Sequence, residues 1–307
     1  MTDGIINVYK ERGFTSHDVV AKLRGILRQK KIGHTGTLDP EAEGVLPVCL
    51  GSATKVCELL TDKEKTYRAV LLLGVTTDTQ DATGTVLKEQ PVTCEEPAVR
   101  ACIASFIGEQ DQVPPMYSAL KVNGKKLYEL ARQGIEVERK ARRITIRQIR
   151  ICAIDLPRIT MEVTCSKGTY IRTLCHDIGA ALGCGGGMES LLRTQVGPFR
   201  LEESVRLSEI EQLRDAGRLS EVIRPVDSVF QSYEALHLTQ AGDRLVQNGT
   251  PIEAIPELVA DAAEEVTIPD GMRYRIYSRE GVFWAVYEWR QAKGRYWPVK
   301  MFLGGER

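Results

Sequence analysis

The chain has 307 residues, 43% of them apolar and 27% charged, with 41 Lys/Arg against 41 Asp/Glu. That length holds one large domain plus a small one, and the composition lies in the ordinary globular range. The longest apolar run, around Ala69 to Val75, is far too short to span a bilayer, and the N-terminus lacks the basic start and apolar core of a signal peptide.

Ile5–Tyr9 reads as an opening strand. Lys10–Thr15 then turns into a helix starting at Ser16, with Val19, Val20, Leu23, Ile26 and Leu27 spaced three and four apart. Its other face carries Lys22, Arg24, Arg28, Lys30 and Lys31. Next comes G-H-T-G-T-L-D-P over 33–40, followed by E-A-E-G-V-L-P over 41–47. Two glycines and a proline crowd one carboxylate, Asp39. Glycine permits a sharp turn, and Pro40 pushes the residue before it to extended geometry. Two readings stay open on this local pattern. Asp39 is either a helix N-cap with Pro40 at the first helical position, or a cornered carboxylate available as nucleophile or base.

Ser52 or Thr54 opens a helix ending near Leu60, and Lys65–Leu73 reads as a strand. Thr76–Gly84 is a polar loop before the strand Thr85–Leu87. The loop starts like a calcium loop, but Gln80 and Ala82 stand where oxygen ligands should follow Asp78, so no metal is assigned. Glu95–Phe106 is a helix, Val113–Ser118 a rigid loop, and Gly124–Gly134 one short helix. Ile144–Ile154 and Thr160–Ser166 are strands, and a helix runs from Gly168–Thr173 to Leu182. Gly183–Gly187 reads as a flexible break, Leu207–Leu219 as an acidic helix, and Pro225–Ser232 as a domain exit. Beyond it lie Trp284, Trp289 and Trp297 on strand-like runs, with turns at Asn248-Gly249, Asp270-Gly271 and Lys293-Gly294. That pattern predicts a small β domain.

The charge is unevenly spread. Residues 121–150 hold ten Lys/Arg against three Asp/Glu, while 201–270 hold five against fifteen. A neutral chain with one concentrated basic segment points to a local polyanion contact, or to a solvated helix face. The eight cysteines form no C-x-x-C pair and several lie in apolar runs. Free buried thiols in a reducing cytoplasm are expected, rather than a disulfide frame or a zinc site. No phosphate-binding loop, dinucleotide fingerprint, G-x-S-x-G elbow or H-E-x-x-H occurs, so no metal or cofactor chemistry is visible. Of four histidines only His34 has an unusual setting; His17, His176 and His237 read as ordinary helix or strand positions.

Six strings occur in order over most of the first 200 residues: G-H-T-G-T-L-D-P, K-T-Y-R-A, T-D-T-Q-D-A-T-G, P-M-Y-S-A-L-K-V-N-G-K-K-L-Y-E-L-A-R-x-G, G-T-Y-I-R-T-L and R-T-x-x-G-x-F. Each alone is weak. Together they resemble the TruB family, the tRNA pseudouridine-55 synthases. The resemblance implies that a uridine in the tRNA T-loop is isomerised to pseudouridine without a cofactor. It implies that Asp39 is the nucleophile, that Tyr67 stacks on the flipped base, and that Arg172 pairs with the aspartate. It places Tyr170 and Leu191 in the uracil pocket and His34 against the rearranged T-loop. It makes the basic segment, about 114–150, a thumb that closes over RNA. Without it, Tyr67, Tyr170 and Leu191 would pass for core packing and Arg172 for a surface residue.

The expected architecture is α+β. A catalytic domain over 1–232 has a mixed, mainly antiparallel sheet with flanking helices, and a PUA-like β-barrel occupies 233–307. A cytoplasmic monomer is expected, with tRNA as partner and no obligate protein partner. Two competing readings remain: an RNA-folding module with catalysis secondary, and a guide-dependent relative acting on ribosomal RNA within an assembly.

Overall fold

The structure, a computed structural model, describes residues 2–122, 124–261 and 268–303. Its organising strand is Lys65–Leu73, where Lys65, Tyr67, Ala69, Leu71 and Leu73 alternate onto one buried face. This strand lies inside a ten-stranded sheet. Its path runs Ile223–Arg224, Gly4–Lys10, Glu43–Leu50, Gly186–Val196, Lys65–Leu73, Arg158–Cys165, Arg142–Asp155 and Gly108–Gln112. Ile32–His34 adds onto Glu43–Leu50, and Phe199–Arg200 onto Gly186–Val196.

Neighbours along this path are antiparallel except at one seam, where Glu43–Leu50 runs parallel to Gly186–Val196. The seam is short: Leu192 faces Glu43 and Arg193 faces Gly44. Gly44 has φ +104°, and a Cβ there would lie 2.2 Å from the Arg193 carbonyl oxygen. Only glycine lets the two backbones meet, because any side chain would be both strained and in collision.

Helices cover the sheet on either side of the seam. Ser16–Leu27 and Leu207–Asp215 bury Val19, Val20, Leu23, Leu207 and Ile210 with Ile6, Val8 and Leu46. Thr15 caps the first of these: Asp18 N donates to its hydroxyl at 3.1 Å, and Thr15 N donates back to the Asp18 carboxylate at 2.8 Å. Beyond the seam, Ile171–Ala181 and Glu96–Ser105 pack over Tyr67, Ala69, Leu71, Ile159 and Met161.

Several expectations are corrected. No helix follows Asp39, so it is not an N-cap. Ala42 N donates to the Asp39 carbonyl at 3.1 Å, closing a turn, and the strand Glu43–Leu50 begins at once. The apolar run Val45–Leu50 finds a ladder in Gly4–Lys10, which outweighs the local helix-start signal. The expected helix from Ser52 is a 3₁₀ turn, Gly51–Val56, with only Cys57–Thr61 α-helical. The segment expected as one helix over Gly124–Gly134 has helix only at Leu127–Ala131; Lys125–Lys126 is a two-residue strand paired with Lys121–Val122 just before it. Gly183–Gly187 is not a loose break. Gly186 opens a long strand, and its backbone touches Gly179 so closely that a Cβ on Gly179 would sit 2.3 Å from Gly186 N.

The C-terminal β unit is present as a five-stranded sheet ordered Glu234–His237, Arg273–Tyr277, Phe283–Arg290, Arg295–Met301 and Ile252–Glu253. Val286 and Phe302 share a core with Ile5, Val45 and Phe230 of the larger unit. The two are also laced by Lys55 Nζ donating to Met301 O at 2.8 Å and Lys300 Nζ to Lys55 O at 2.7 Å. All eight cysteines are free; Cys49, Cys165, Cys175 and Cys184 are buried, whereas Cys152 is exposed. No helix among the described residues is long and apolar enough to cross a membrane.

The seam supplies a stability test. Gly44→Ala should lose about 3 kcal/mol or more in urea unfolding, since backbone strain and collision add. An unfolding midpoint equal to that of the parent would contradict the close approach.

Candidate active site

The residues between His34 and Glu43 form a loop pinned from three directions. Thr35 donates to Pro47 O through its backbone N and through its hydroxyl, both at 3.1 Å. Leu38 N donates to the buried Ser16 hydroxyl at 3.0 Å. Lys10, fully buried, donates from Nζ to Ala42 O at 2.5 Å, Pro40 O at 3.0 Å and Glu11 O at 3.2 Å. Burial lowers the Lys10 ammonium to about 8, against the pull of Asp39 and Glu43. Asp39 thus sits on a backbone with little freedom, immediately before the parallel seam.

Across from it, the helix Ile171–Ala181 starts at Tyr170. Gln112, buried at the end of its strand, clamps that start: its Nε2 donates to Tyr170 O at 3.1 Å and its Oε1 accepts from Tyr170 N at 2.9 Å. This fixes the first helical turn, where Arg172 points back at the loop. Arg172 Nη2 donates to Asp39 Oδ1 at 3.0 Å. The arginine side chain is only 6% exposed, while that of Asp39 keeps 38% of its surface open. Burial raises the Asp39 carboxyl above the ordinary carboxylate range; Arg172 and Lys10 oppose that rise and Asp81 adds to it.

Asp81 lies on the far side of Arg172, its Oδ2 3.6 Å from Nη1. Its Oδ1 accepts from Thr79 Oγ1 at 2.8 Å, Thr83 N at 2.9 Å and Thr83 Oγ1 at 2.6 Å. Arg172 is therefore held between two carboxylates, one fixed by its own loop and one facing outward. A guanidinium buried to this degree needs such partners.

Tyr67 and Arg193 are directly opposed on adjacent strands, on the face covered by Ile171–Ala181. Arg193 is fully buried; its Nε donates to Val45 O at 2.7 Å, and strand register sets the side chain opposite Tyr67. Burial pushes the Tyr67 hydroxyl up to about 12 despite the arginine, so it is a neutral phenol at physiological pH. Leu191, half-buried, packs against the same cluster as Tyr67 and Leu38. Tyr170 lies under the Arg172 guanidinium, 5.9 Å from ring centroid to Cζ.

His34 stands at the other end of the loop. Its ring meets His17 edge to face, with centroids 5.2 Å apart. Burial lowers its pKa, and His17 adds to that. The structure therefore brings Arg172 against both Asp39 and Tyr170 and places Tyr67 and Leu191 in one apolar cluster, while His34 lies on the N-terminal side of the loop.

The sequence profile described as TruB family pseudouridylate synthase, N-terminal domain, matches residues 24–171, and that described as tRNA pseudouridylate synthase B C-terminal domain matches 172–231. A protein of Lachnoclostridium phytofermentans named tRNA pseudouridine synthase B is 52% identical, over 98% of this chain and 100% of that one. The chain belongs to the TruB family. Another bearing the same name, from Clostridium acetobutylicum, is 45% identical over 92% and 93% of the two chains. Among solved structures, a chain in a crystal structure of a Cbf5-Nop10-Gar1 complex superposes with TM-score 0.71 at 27% identity, covering 98% of this chain and 85% of that one. The protein is a pseudouridine synthase, an isomerase, and the α+β fold with a PUA-like C-terminal sheet is the expected one.

Sequence reasoning gave no role to Asp81, Arg193, Lys10 or Gln112. Asp81 had a signal, since it lies in a loop with four threonines in nine residues (76–84), several of which hold it. The other three act through register and burial, which spacing along the chain does not carry.

The Gln112 clamp can be tested by Gln112→Leu. Two hydrogen bonds are lost and the Tyr170 N–H is left unpaired, its carbonyl keeping only Leu174 N, so unfolding should cost about 2 kcal/mol less than in the parent. Tyr170 fluorescence or hydrogen exchange at the start of its helix should report the loosening; unchanged exchange there would contradict the assigned function of the clamp.

Proposed function

We propose that this TruB enzyme converts the uridine at position 55 of the tRNA T-loop to pseudouridine, with Asp39 as nucleophile and no cofactor. The contact that carries this reading is the 3.0 Å pair between Arg172 and Asp39 at a partly open corner. In the reaction the N1–C1′ bond breaks, the base turns, a C5–C1′ bond forms, C5 loses its proton and N1 gains one. The target base must leave its loop before any of this can occur. His34, kept neutral by burial, is a flat group suited to fill the space the base leaves.

Tyr67 and Leu191 bound the uracil on one side, and Tyr170 on another. The Asp39 carboxylate attacks at C6 of the base or C1′ of the sugar, and Arg172 keeps it ionised and aimed. The domain reading follows: 1–232 carries the chemistry, the segment about 114–150 closes over RNA, and 233–307 is the PUA-like unit. The near full-length match to proteins named tRNA pseudouridine synthase B supports tRNA as substrate over a guide-dependent role in an assembly. Conversion of an isolated T-arm stem-loop, with no guide RNA or other protein, should therefore be observed; no conversion would favour the guided reading.

Asp39→Asn should abolish product while tRNA affinity stays within about threefold of the parent, because charge and not shape is removed. Normal turnover would refute the nucleophile. The raised Asp39 carboxyl also sets a pH profile. Single-turnover rate should fall on the acid side at a pH above the ordinary aspartate range. Arg172→Gln removes the chief lowering influence, so that limb should move to still higher pH as the rate drops. An unmoved limb would separate Arg172 from the carboxylate.

A further inference from the structure

The basic stretch 121–150 offers less free charge than its composition suggests. Arg139 pairs with Glu136 at 3.0 Å, Arg143 with Glu109 at 3.1 Å, Arg147 with Glu64 at 2.7 Å and Arg150 with Glu162 at 3.2 Å. Glu136 of the stretch itself, Glu64, and two acids on neighbouring strands thus pair with four of its ten cations. A different stretch keeps its charge. Residues 22–31 contain five Lys/Arg and no Asp/Glu, all five are exposed, and none forms an ion pair among the described residues.

Geometry joins this second stretch to the site. His17, Arg24 and Arg28 recur at helical spacing along one side of Ser16–Leu27, away from its buried Ser16, Val19, Val20 and Leu23. Arg24 is fixed by donating to Ile32 O at 3.3 Å, and Lys22 lies 4.7 Å above the Phe14 ring. The strand Ile32–His34 leaves the basic end beside Lys31 and finishes at His34, whose ring meets His17. From His17 to Arg28 the helix rises about 16 Å. The surface beside His34 and His17 therefore leads to the exposed cations Arg24, Arg28, Lys30 and Lys31. No large exposed apolar side chain accompanies it, as membrane docking would require; those lie elsewhere, at Val86, Leu87, Ile107 and beyond.

We propose that this helix face is a second RNA-backbone contact, holding tRNA phosphates outside the T-loop while His34 meets the loop itself. It rests on the tRNA reading above and extends the footprint to a surface separate from the 114–150 segment. Each phosphate neutralised releases counterions, so the contact has a salt signature that packing alone lacks.

The test is equilibrium binding of full-length, unmodified tRNA across a salt series, for the parent and for Arg28→Gln/Lys30→Gln/Lys31→Gln. The slope of log Kd against log salt should fall by about 2, and Kd at ~0.1 M salt should rise roughly tenfold. The single-turnover rate at saturating tRNA should equal the parent's, since none of the three reaches the reacting base. Lys30→Gln alone should lower the slope by about 0.7, which keeps the test intact if the triple variant folds poorly. Arg279→Gln/Lys293→Gln, on the C-terminal sheet, serves as a control with an unchanged slope. A triple variant with parental slope and Kd overturns the proposal. Failure of the parent to convert a T-arm would instead overturn the substrate reading, because the salt slope is read from binding alone.

Discussion

The arrangement depends on one buried guanidinium. Arg172 is almost fully enclosed, and a cation so placed is tolerated only where carboxylates and hydrogen bonds surround it. Asp81 supplies a fixed partner and Asp39 an open one. Around that contact the rest of the fold becomes intelligible. The Gln112 clamp aims the helix that carries Arg172, Lys10 and Ser16 pin the loop that carries Asp39, and Gly44 lets the strand after it lie against Arg193. At that contact burial and Asp81 work against the Asp39 charge, while Arg172 and Lys10 favour it.

Much of the fold was legible along the chain. Ile5–Tyr9 and Lys65–Leu73 are legible as apolar, strand-like runs, and Ser16–Leu27 carries apolar residues three and four apart after a turn that ends in a cap. The family strings contain His34, Asp39, Tyr67, Tyr170 and Arg172, but not Leu191. What stayed hidden was non-local. Gly183–Gly187 reads as a break because glycines usually end elements. Here Gly186 opens a strand that must pass within contact of Gly179. The same blindness hid Lys10, which looks like a turn lysine and is buried on three carbonyls, and Arg193, whose partner Tyr67 is set by strand register.

Charge was the least transferable reading. A count over 121–150 treats every arginine as free, yet acids on two neighbouring strands, Glu64 and the stretch's own Glu136 pair with four of them. The helix at 16–27, read from sequence mainly for its apolar stripe, has exposed cations at Lys22 and Arg24 with no ion pair among the described residues. Net charge along a chain says where cations are encoded; pairing across the fold decides where a polyanion would feel them.

The most direct measurement is a structure of the enzyme bound to a T-arm stem-loop carrying an unreacted uridine analogue at the target position. The account predicts the flipped base between Tyr67, Tyr170 and Leu191, with an Asp39 carboxylate oxygen about 3–3.5 Å from C6 or C1′ and the Arg172 contact intact. A target base docked away from that carboxylate, or an Arg172 turned from Asp39 to another partner in the complex, would contradict it.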